Sequence, residues 1–346
     1  MNKIVPADSN VKPKPSKAPV PFRVLCIDGG GIRGLIPAIW LKNLDERLKA
    51  IPNAPELHEC FQLVCGTSTG AIIAAAIGSG VSMDRVVQLY EDQGPNIFRK
   101  SAIRKIPGFS LLRAKYRHEE LQHILEKSFQ QRKLSEANTN VCITSYDIQN
   151  RIPVIFRSYG QNDRDNLLWM LCLASSSAPT YFPVYKAELT SGARYLVDGG
   201  VVANNPSGLG LAEAIRILRT NSLIEAKRPI QIISLGTGQN TRNLTKHLNG
   251  KQGIVRWASS FFDVMFDGSA NISSYIAEKV LEDGAYKRLQ FQLNAGLGSD
   301  DLDDASPDNI KQLRAAAVAH ISDGGPGAAT FEQIVAMFDP RKKKHA

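Results

Sequence analysis

Short apolar runs alternate with helix-like stretches through the first two thirds of the chain. Phe22–Ile27 and Phe61–Cys65 have the length and continuous apolar character of buried strands. Helix-like stretches follow them at Leu35–Leu48 and Ala71–Ile77. Further strand-like runs are Asn140–Tyr146, Ile152–Ser158, Tyr195–Val197 and Ile230–Leu235. This alternation predicts an α/β fold with a mostly parallel central sheet and helices on both faces.

The pattern becomes mainly helical after about residue 240. Predicted helices cover Ile254–Phe266, Ser269–Leu281, Pro307–His320 and Thr330–Phe338, with one strand-like run at Leu289–Leu293. Residues 1–21 contain five prolines, four lysines and no apolar stretch, so we expect a disordered segment there. We therefore expect one domain at 22–338, with a motif-bearing core at 22–238 and a helical part at 240–338. Residues 339–346 form a basic tail.

Composition indicates the size of the core and the cellular environment of the chain, but it does not identify the partner. The chain has 346 residues, 43% of them hydrophobic, which is enough for one large core. Its formal net charge of +9 indicates an anionic partner, which composition leaves open between nucleic acid, a phosphorylated ligand and an acidic membrane. Its five cysteines lack C-x-x-C spacing, so we expect free thiols in a reducing cytosol. We see no targeting segment and no apolar run of the roughly 20 residues that span a bilayer, and expect a cytoplasmic protein.

One stretch is basic and apolar together. No acid lies between Gln93 and His118, whereas seven bases do: Arg99, Lys100, Arg104, Lys105, Arg113, Lys115 and Arg117. A solvated loop is one interpretation of this segment. The other is a cap over a site, in contact with anionic lipid or a phosphorylated ligand. With Arg341–Lys344, the segment predicts reversible, salt-sensitive association with an anionic membrane surface.

The run Gly66-Thr67-Ser68-Thr69-Gly70 lies between a predicted strand and a predicted helix. A G-x-S-x-G sequence in that position is typical of a nucleophile elbow, a sharp turn that holds the serine Oγ clear of the sheet. The helix N-terminus behind it favours developing negative charge. An ordinary turn is the commoner explanation of such residues outside this context. Ser68 is therefore the candidate nucleophile, with Gly66 and Gly70 as supporting residues.

A second glycine-rich loop, Asp28–Gly34, joins the first strand to its helix and presents bare backbone N–H groups at a helix N-terminus. Its candidate oxyanion donors are Gly29, Gly30 and Gly31, and its supporting residues are Arg33 and Gly34. The loop also satisfies G-x-G-x-x-G, which raises a dinucleotide-binding oxidoreductase as an alternative. That alternative needs an acid at the end of the second strand, where Cys65 stands instead.

The candidate base is an aspartate. None of the six histidines follows a strand or lies in a glycine-bearing turn, whereas Asp198 ends the run Tyr195–Val197 and precedes Gly199 and Gly200. A carboxylate that its surroundings partly desolvate can accept a proton near neutral pH. The serine triplet Ser175–Ser177 has no flanking glycine and no preceding strand, and is interpreted as a helix end.

Together, the Asp28–Gly34 loop, Gly66–Gly70 and Asp198-Gly199-Gly200 resemble the patatin-like phospholipases, over about 22–238. The resemblance implies a patatin-like three-layer α/β fold, a Ser68–Asp198 dyad, an oxyanion hole at Gly29–Gly31, and no metal or other cofactor. It implies a serine acyl hydrolase of phospholipase A or lysophospholipase type, acting on membrane phospholipid through an acyl-enzyme, with no nucleic acid polymer as partner. A non-catalytic membrane-binding or partner-binding module is a further alternative.

In its length and in the sequences of its motifs, the chain also resembles bacterial patatins that act in anti-phage signalling and are activated by cyclic dinucleotides. This narrower resemblance implies a cyclic dinucleotide activator and a role in antiviral defence. The candidate contacts for ligand or lipid are Arg99, Lys100, Arg104 and Lys105. The alternative is a constitutive lipid acyl hydrolase in which these bases meet only lipid head groups.

Overall fold

A computed structural model describes residues 19–99, 114–221, 225–239, 254–293 and 297–341. Its strands are β1 (Phe22–Ile27), β2 (Leu63–Gly66), β3 (Asn140–Asp147), β4 (Ile152–Arg157), β5 (Tyr185–Leu189), β6 (Gly192–Asp198), β7 (Ile230–Leu235) and β8 (Tyr286–Leu289). Its helices are α1 (Leu35–Lys49), α2 (Thr69–Gly78), α3 (Met83–Gln88), α4 (Gly94–Ile97), α5 (Glu119–Phe129), α6 (Leu168–Ser175), α7 (Gly200–Ala203), α8 (Ser207–Asn221), α9 (Ile254–Val280), α10 (Pro307–Ile321) and α11 (Ala328–Phe338). Most of the predicted disordered segment (1–18) and of the basic tail (342–346) lies outside the described residues.

The strands form one mixed sheet in the order β5-β6-β3-β2-β1-β7-β8, and β4 also pairs with β3. Parallel pairs join β1 to β2 and β7, β2 to β3, and β7 to β8. Antiparallel pairs join β3 to β4 and β6, and β5 to β6. The predicted α/β fold with a mostly parallel sheet is confirmed.

Strands β2 and β6 share one edge of β3 and run toward each other. Residues 142–143 of β3 pair with β2 on this edge and with β4 on the other. Farther along β3, residues 145–147 pair with β6 and again with β4. Gly66 therefore ends β2 opposite Ile143, and Asp198 ends β6 opposite Ser145. The two strand ends meet head to head, with one residue of β3, Thr144, between their pairing positions.

Helices cover both faces of the sheet because its strands are apolar on both sides. Leu25 and Ile27 of β1 point into one buried cluster, which includes Trp40 of α1 and residues of α2, α6, α10 and α11. Val24 and Cys26 point into a second cluster, which includes Leu211 of α8. The result is a sheet between two helical layers. All five cysteines are buried and free of disulfides.

The sequence-based elements are wrong in three places. One helix, Ile254–Val280, replaces the two helices that we predicted on either side of Gly268. The final strand is Tyr286–Leu289, three residues earlier than the apolar run at Leu289–Leu293, since its register follows the pairing with β7. Strand β5 was not predicted, because its YKAEL sequence is half polar and only alternate residues are buried.

The part of the chain after residue 240 packs against the motif-bearing part. Strand β8 extends the central sheet beside β7. Helix α10 packs on α1, where Trp40 Nε1 donates a hydrogen bond of 2.9 Å to the Ala317 carbonyl. Within the described ranges, no helix has the length and apolar character needed to cross a membrane.

Two helix-interior glycines provide a matched test of these elements. A Cβ at Gly268 in α9 would meet no atom within 4 Å, so Gly268→Ala should raise the free energy of unfolding by about 0.5–1 kcal/mol. A Cβ at Gly210 in α8 would lie 2.8 Å from Cys26 Sγ and 3.0 Å from Val24 Cγ1, so Gly210→Ala should lower it. Equilibrium urea denaturation measures both. A loss of stability in Gly268→Ala would show that the helix is interrupted there.

Candidate active site

Ser68 lies on a strained turn between β2 and α2. Its backbone has φ 55° and ψ −121°, a region that non-glycine residues rarely occupy and that costs about 1–3 kcal/mol. A Cβ on Gly66 would lie 2.1 Å from the Gly70 carbonyl oxygen, and one on Gly70 would lie 2.2 Å from the Ile27 carbonyl oxygen. Glycine is therefore required at both positions by close backbone approach. The turn has the geometry that the G-x-S-x-G sequence predicts.

Hydrogen bonds from distant segments hold this turn. The Ser68 amide donates to Ser175 Oγ at the end of α6, at 2.8 Å. Thr67 Oγ1 donates to the Ala203 carbonyl at 2.6 Å and accepts from Thr144 Oγ1 at 2.8 Å. Ser68 also stands at the N-terminus of α2, where the helix dipole favours negative charge.

Asp198 is fully buried at the end of β6 and lines the same pocket as Ser68. Its Oδ1 accepts a 2.7 Å hydrogen bond from the Gly200 amide. Its Oδ2 accepts no hydrogen bond of ordinary geometry from any described residue. Burial raises the pKa of Asp198 to about 7, against the opposing effects of the neighbouring Ser68 side chain and the Gly200 amide. The carboxyl is thus poised to exchange a proton near neutral pH.

Gly199 and Gly200 allow the end of β6 to pack closely. A Cβ on Gly199 would lie 2.2 Å from Thr144 Oγ1 of β3, and one on Gly200 would lie 2.9 Å from the Phe266 ring of α9. The absence of a side chain at both positions therefore allows this close packing next to Asp198.

The glycine-rich loop offers two free amides beside Ser68. The Gly29 amide donates to the Asn204 carbonyl at 3.0 Å, so it is not available to an oxyanion in this structure. The amides of Gly30 and Gly31 donate to no acceptor among the described residues, and both residues line the pocket. Of the three predicted donors, Gly29, Gly30 and Gly31, the latter two therefore remain as candidates in this arrangement.

The need for glycine in this loop has different causes at different positions. Gly31 has φ 57°, and a Cβ there would lie 2.1 Å from the Leu302 carbonyl oxygen. Gly30 has an extended φ, which any residue can adopt. A side chain at this position is excluded by Thr237, whose Oγ1 would lie 2.3 Å from a Cβ. A Cβ on Gly34 would lie 2.1 Å from Thr69 Oγ1, so this glycine lets the loop pack on the elbow.

Charged residues fix the loop from outside the pocket. Asp28 and Arg288 form a buried ion pair, with Arg288 Nη2 at 2.6 Å from Asp28 Oδ2. Arg288 Nη1 also donates to Ser234 Oγ at 2.6 Å. The predicted supporting residue Arg33 donates from Nη1 to the Asp300 carbonyl at 3.1 Å. The loop is thereby tied to β8 and to the segment before α10.

The pocket around Ser68 is mainly apolar. Besides the residues of the two motif loops, it is lined by Ile72, Leu89, Tyr90, Ile97, Phe98, Leu121, Ser176, Ala178, Tyr181, Phe182, Phe266 and Leu302. Phe266 and Leu302 belong to the C-terminal part, for which the sequence offered no motif. Asn204 and Thr237 were also missed as site residues, although each follows a strand or turn that the sequence analysis had identified.

The basic segment meets the pocket at its first residues. Phe98 lines the pocket, and Arg99 next to it is exposed. The other candidate contacts, Lys100, Arg104 and Lys105, lie outside the described residues. Where the chain is described again, Lys115 Nζ and Tyr116 OH both contact Asp303 Oδ2, at 3.1 and 2.6 Å.

No histidine lines the pocket within the part of the chain that the structure describes. His118 Nε2 lies 3.0 Å from Ser177 Oγ and its ring stacks on Phe182, while burial lowers the pKa of His118. Over the same ranges, no group of three or more His, Cys, Asp and Glu side chains has a metal-binding arrangement. The carboxyl group that lines the pocket with Ser68 is that of Asp198.

Comparison with known proteins agrees with the motifs. The family model for patatin-like phospholipases matches residues 25–209. A potato (Solanum tuberosum) protein, Probable inactive patatin-3-Kuras 1, is 31% identical over 315 residues, 83% of each chain. Patatin-2-Kuras 4 of potato is 30% identical over 84% of this chain and 83% of its own. Patatin-like protein 1 of rice (Oryza sativa subsp. indica) is 29% identical over 84% of this chain and 78% of its own.

Solved structures show only a distant likeness. VipD from Legionella pneumophila matches with a TM-score of 0.41 and 10% identity, over 88% of this chain and 68% of that one. The type III effector ExoU matches with a TM-score of 0.36 and 14% identity, over 92% and 54%. The family match, in contrast, covers more than half of the chain. The chain therefore belongs to the patatin-like phospholipase family and is a hydrolase of lipid acyl esters.

Proposed function

We propose that Ser68 and Asp198 form a catalytic dyad that hydrolyses the acyl esters of membrane phospholipids or lysophospholipids. Because one relative is named as a probable inactive patatin, the catalytic residues have to be judged in this chain itself. The observation that carries the proposal is the buried Asp198 carboxyl in the pocket that Ser68 also lines: its Oδ2 accepts no hydrogen bond of ordinary geometry from the described residues, and the nearby Ser68 side chain lowers its pKa. A buried acceptor of this kind is costly unless it is used.

The acylation step follows from these positions. Ser68 Oγ attacks the acyl carbonyl carbon while its proton passes to Asp198, and the carbonyl oxygen takes the negative charge. When the tetrahedral intermediate collapses, the C–O bond to the alcohol breaks, and the leaving oxygen takes the proton from Asp198. The acyl-enzyme on Ser68 is then hydrolysed by water, which gives its proton to Asp198 in the same way. A pKa of about 7 suits both directions of this proton transfer.

The amides of Gly30 and Gly31 are the proposed oxyanion donors. Both are free of acceptors among the described residues and line the pocket beside Ser68. The ties of their loop to Leu302, Thr237 and Arg288 hold the two amides in place before substrate arrives. A preorganised donor of this type is worth about 2.7–4 kcal/mol in the transition state.

The apolar lining suits an acyl chain and supports membrane phospholipid as the substrate. Ile72, Leu89 and Phe98 are among the side chains that would surround it. The oxidoreductase alternative is dropped, because the chain is a hydrolase by family and the Gly29 amide of the glycine-rich loop is already bonded to Asn204. Reversible binding to an anionic membrane surface through the basic segment and tail remains part of the proposal.

Control by a cyclic dinucleotide is a second part of the proposal. It is supported by the resemblance to anti-phage patatins and by the position of Phe98, which brings the start of the basic segment to the pocket wall. Phosphates bound by this segment would relieve its self-repulsion and favour one arrangement of it. A hundredfold activation requires the ligand to prefer the active arrangement by about 2.7 kcal/mol.

The dyad is tested by removing each partner. Ser68→Ala and Asp198→Asn should each lower kcat for a phospholipid or a short-chain ester by about 10⁴-fold or more, because the nucleophile or its base is lost. Ser176→Ala is the matched control, since Ser176 is buried in the same pocket and its Oγ is likewise unbonded among the described residues, but it does not stand on the turn between β2 and α2. Full activity in Ser68→Ala together with loss in Ser176→Ala would move the nucleophile to the serine triplet.

The ionisation of Asp198 predicts a pH dependence of opposite sign for activity and stability. Activity needs the carboxylate, so kcat/KM should rise through about pH 7 and then level off. In the unfolded state the Asp198 carboxyl has its ordinary pKa of 3.8, so it ionises at a lower pH than in the folded state. Between pH 3.8 and about pH 7 the free energy of unfolding therefore falls as pH rises. The stability advantage of Asp198→Asn over wild type should grow over this window, to at most about 4 kcal/mol. An advantage that does not change with pH would contradict the burial of this charge.

Nucleotide control is tested with a panel of cyclic di- and trinucleotides. Turnover of lysophospholipid should rise with one of them, and the rise should vanish in Arg99→Glu, Lys100→Glu, Arg104→Glu or Lys105→Glu, because these charges would hold the phosphates. Activity that rises with the content of anionic lipid and does not change with any nucleotide would show that these bases contact only lipid head groups. Stimulation that survives all four reversals would place the ligand elsewhere.

A further inference from the structure

Helix α9 presents apolar side chains to solvent along its outer face. Phe261, Ile272 and Tyr275 are 50%, 56% and 58% exposed. At 100° per residue these side chains fall on one stripe, which continues through Val264, Ile276 and Val280. Between residues 261 and 280, Lys279 is the only charged residue on the side of α9 that carries this stripe. We refer to these six apolar residues as the α9 stripe.

The opposite face of α9 is already packed on the protein. Phe266, Ala270 and Ala277 are buried, and Ser273 Oγ accepts a 2.8 Å hydrogen bond from the Gly208 amide of α8. A surface helix of this kind ordinarily carries polar residues on its outer face. Because α9 is apolar on both faces, its outer face indicates contact with a partner that is itself apolar.

The stripe is continuous with the catalytic pocket. The exposed Phe261 ring contacts Phe262 with centroids 6.0 Å apart, and Phe262 contacts Phe266 at 6.5 Å. Phe266 lines the pocket together with Asp198. A row of aromatic rings therefore leads from solvent to the proposed site of ester cleavage. The occupant that this continuity favours is the one that supplies acyl chains to the pocket.

We propose that the α9 stripe is the surface on which the enzyme docks on a phospholipid bilayer, with α9 lying in the interface plane and its apolar side chains inserted among the acyl chains. This inference rests on the proposed lipid hydrolysis and names the surface that serves it. Its driving force is apolar burial, unlike the electrostatic attraction expected from the basic segment. Docking through the stripe therefore persists on uncharged vesicles and at high salt, where attraction by the basic segment is lost.

The experiment compares one exposed apolar residue on the stripe with one elsewhere. Ile272→Asp changes the stripe, and Val318→Asp makes a similar change on α10, where Val318 is 41% exposed. Co-sedimentation with phosphatidylcholine vesicles in about 0.5 M salt screens the basic segment. Ile272→Asp should weaken vesicle binding about tenfold, since an inserted side chain becomes charged, and Val318→Asp should leave it unchanged.

Activity on two substrates separates this inference from the proposed function. Ile272→Asp should lose turnover of vesicle phospholipid and keep turnover of a water-soluble short-chain ester. If the wild type cleaves neither substrate, the proposed function fails, while the sedimentation result still decides the docking surface. Wild-type vesicle binding by Ile272→Asp would overturn the inference.

A second copy of the chain is the other candidate occupant, and sedimentation velocity tests it. A wild-type dimer that Ile272→Asp converts to a monomer, with vesicle binding retained, would overturn membrane docking through the stripe. Tyr275→Ser keeps the test decisive should Ile272→Asp fail to fold, because it shortens an exposed side chain without adding charge. It should weaken vesicle binding in the same direction but to a smaller extent.

Discussion

The constraint on which the rest of the site depends is the burial of the Asp198 carboxyl group, away from water and in the pocket of Ser68. A charge on Asp198 is disfavoured by burial, which is why its pKa rises to about 7. The sheet accomplishes this placement: β2 and β6 approach each other along one edge of β3 and end opposite Ile143 and Ser145, with one residue of β3 between them. Neither partner reaches the other through a flexible loop, so their relative position is set by backbone pairing.

The remaining parts of the site also rely on contacts between distant segments. The glycine-rich loop is fixed by Thr237 after β7, by Arg288 of β8 and by Leu302 before α10. The elbow is fixed by Ser175 at the end of α6. Removing the C-terminal third would therefore release the proposed oxyanion donors although no motif lies there. The same third supplies α9, whose inner face closes the pocket and whose outer face we assign to the bilayer.

The sequence predicted the parts of the site that are formed by residues close together in the chain. The elbow, the glycine-rich loop and the D-G-G turn were identifiable because glycine spacing reports a close backbone approach, as at Gly66 and Gly70. It did not predict which loop amides are free, because the partner of Gly29 is the carbonyl of Asn204, far away in the chain. Nor did it predict the continuous helix α9, since a glycine such as Gly268 interrupts a helical pattern without ending the helix.

Labelling with a fluorophosphonate, followed by peptide mass mapping, tests the central claim most directly. The reagent forms a stable adduct with an activated serine and needs no knowledge of the lipid substrate. The account predicts one adduct, on Ser68, that forms far more slowly in Asp198→Asn because the base that activates the hydroxyl is absent. An unlabelled Ser68, or labelling at the same rate in Asp198→Asn, would contradict a mechanism in which the buried Asp198 activates Ser68.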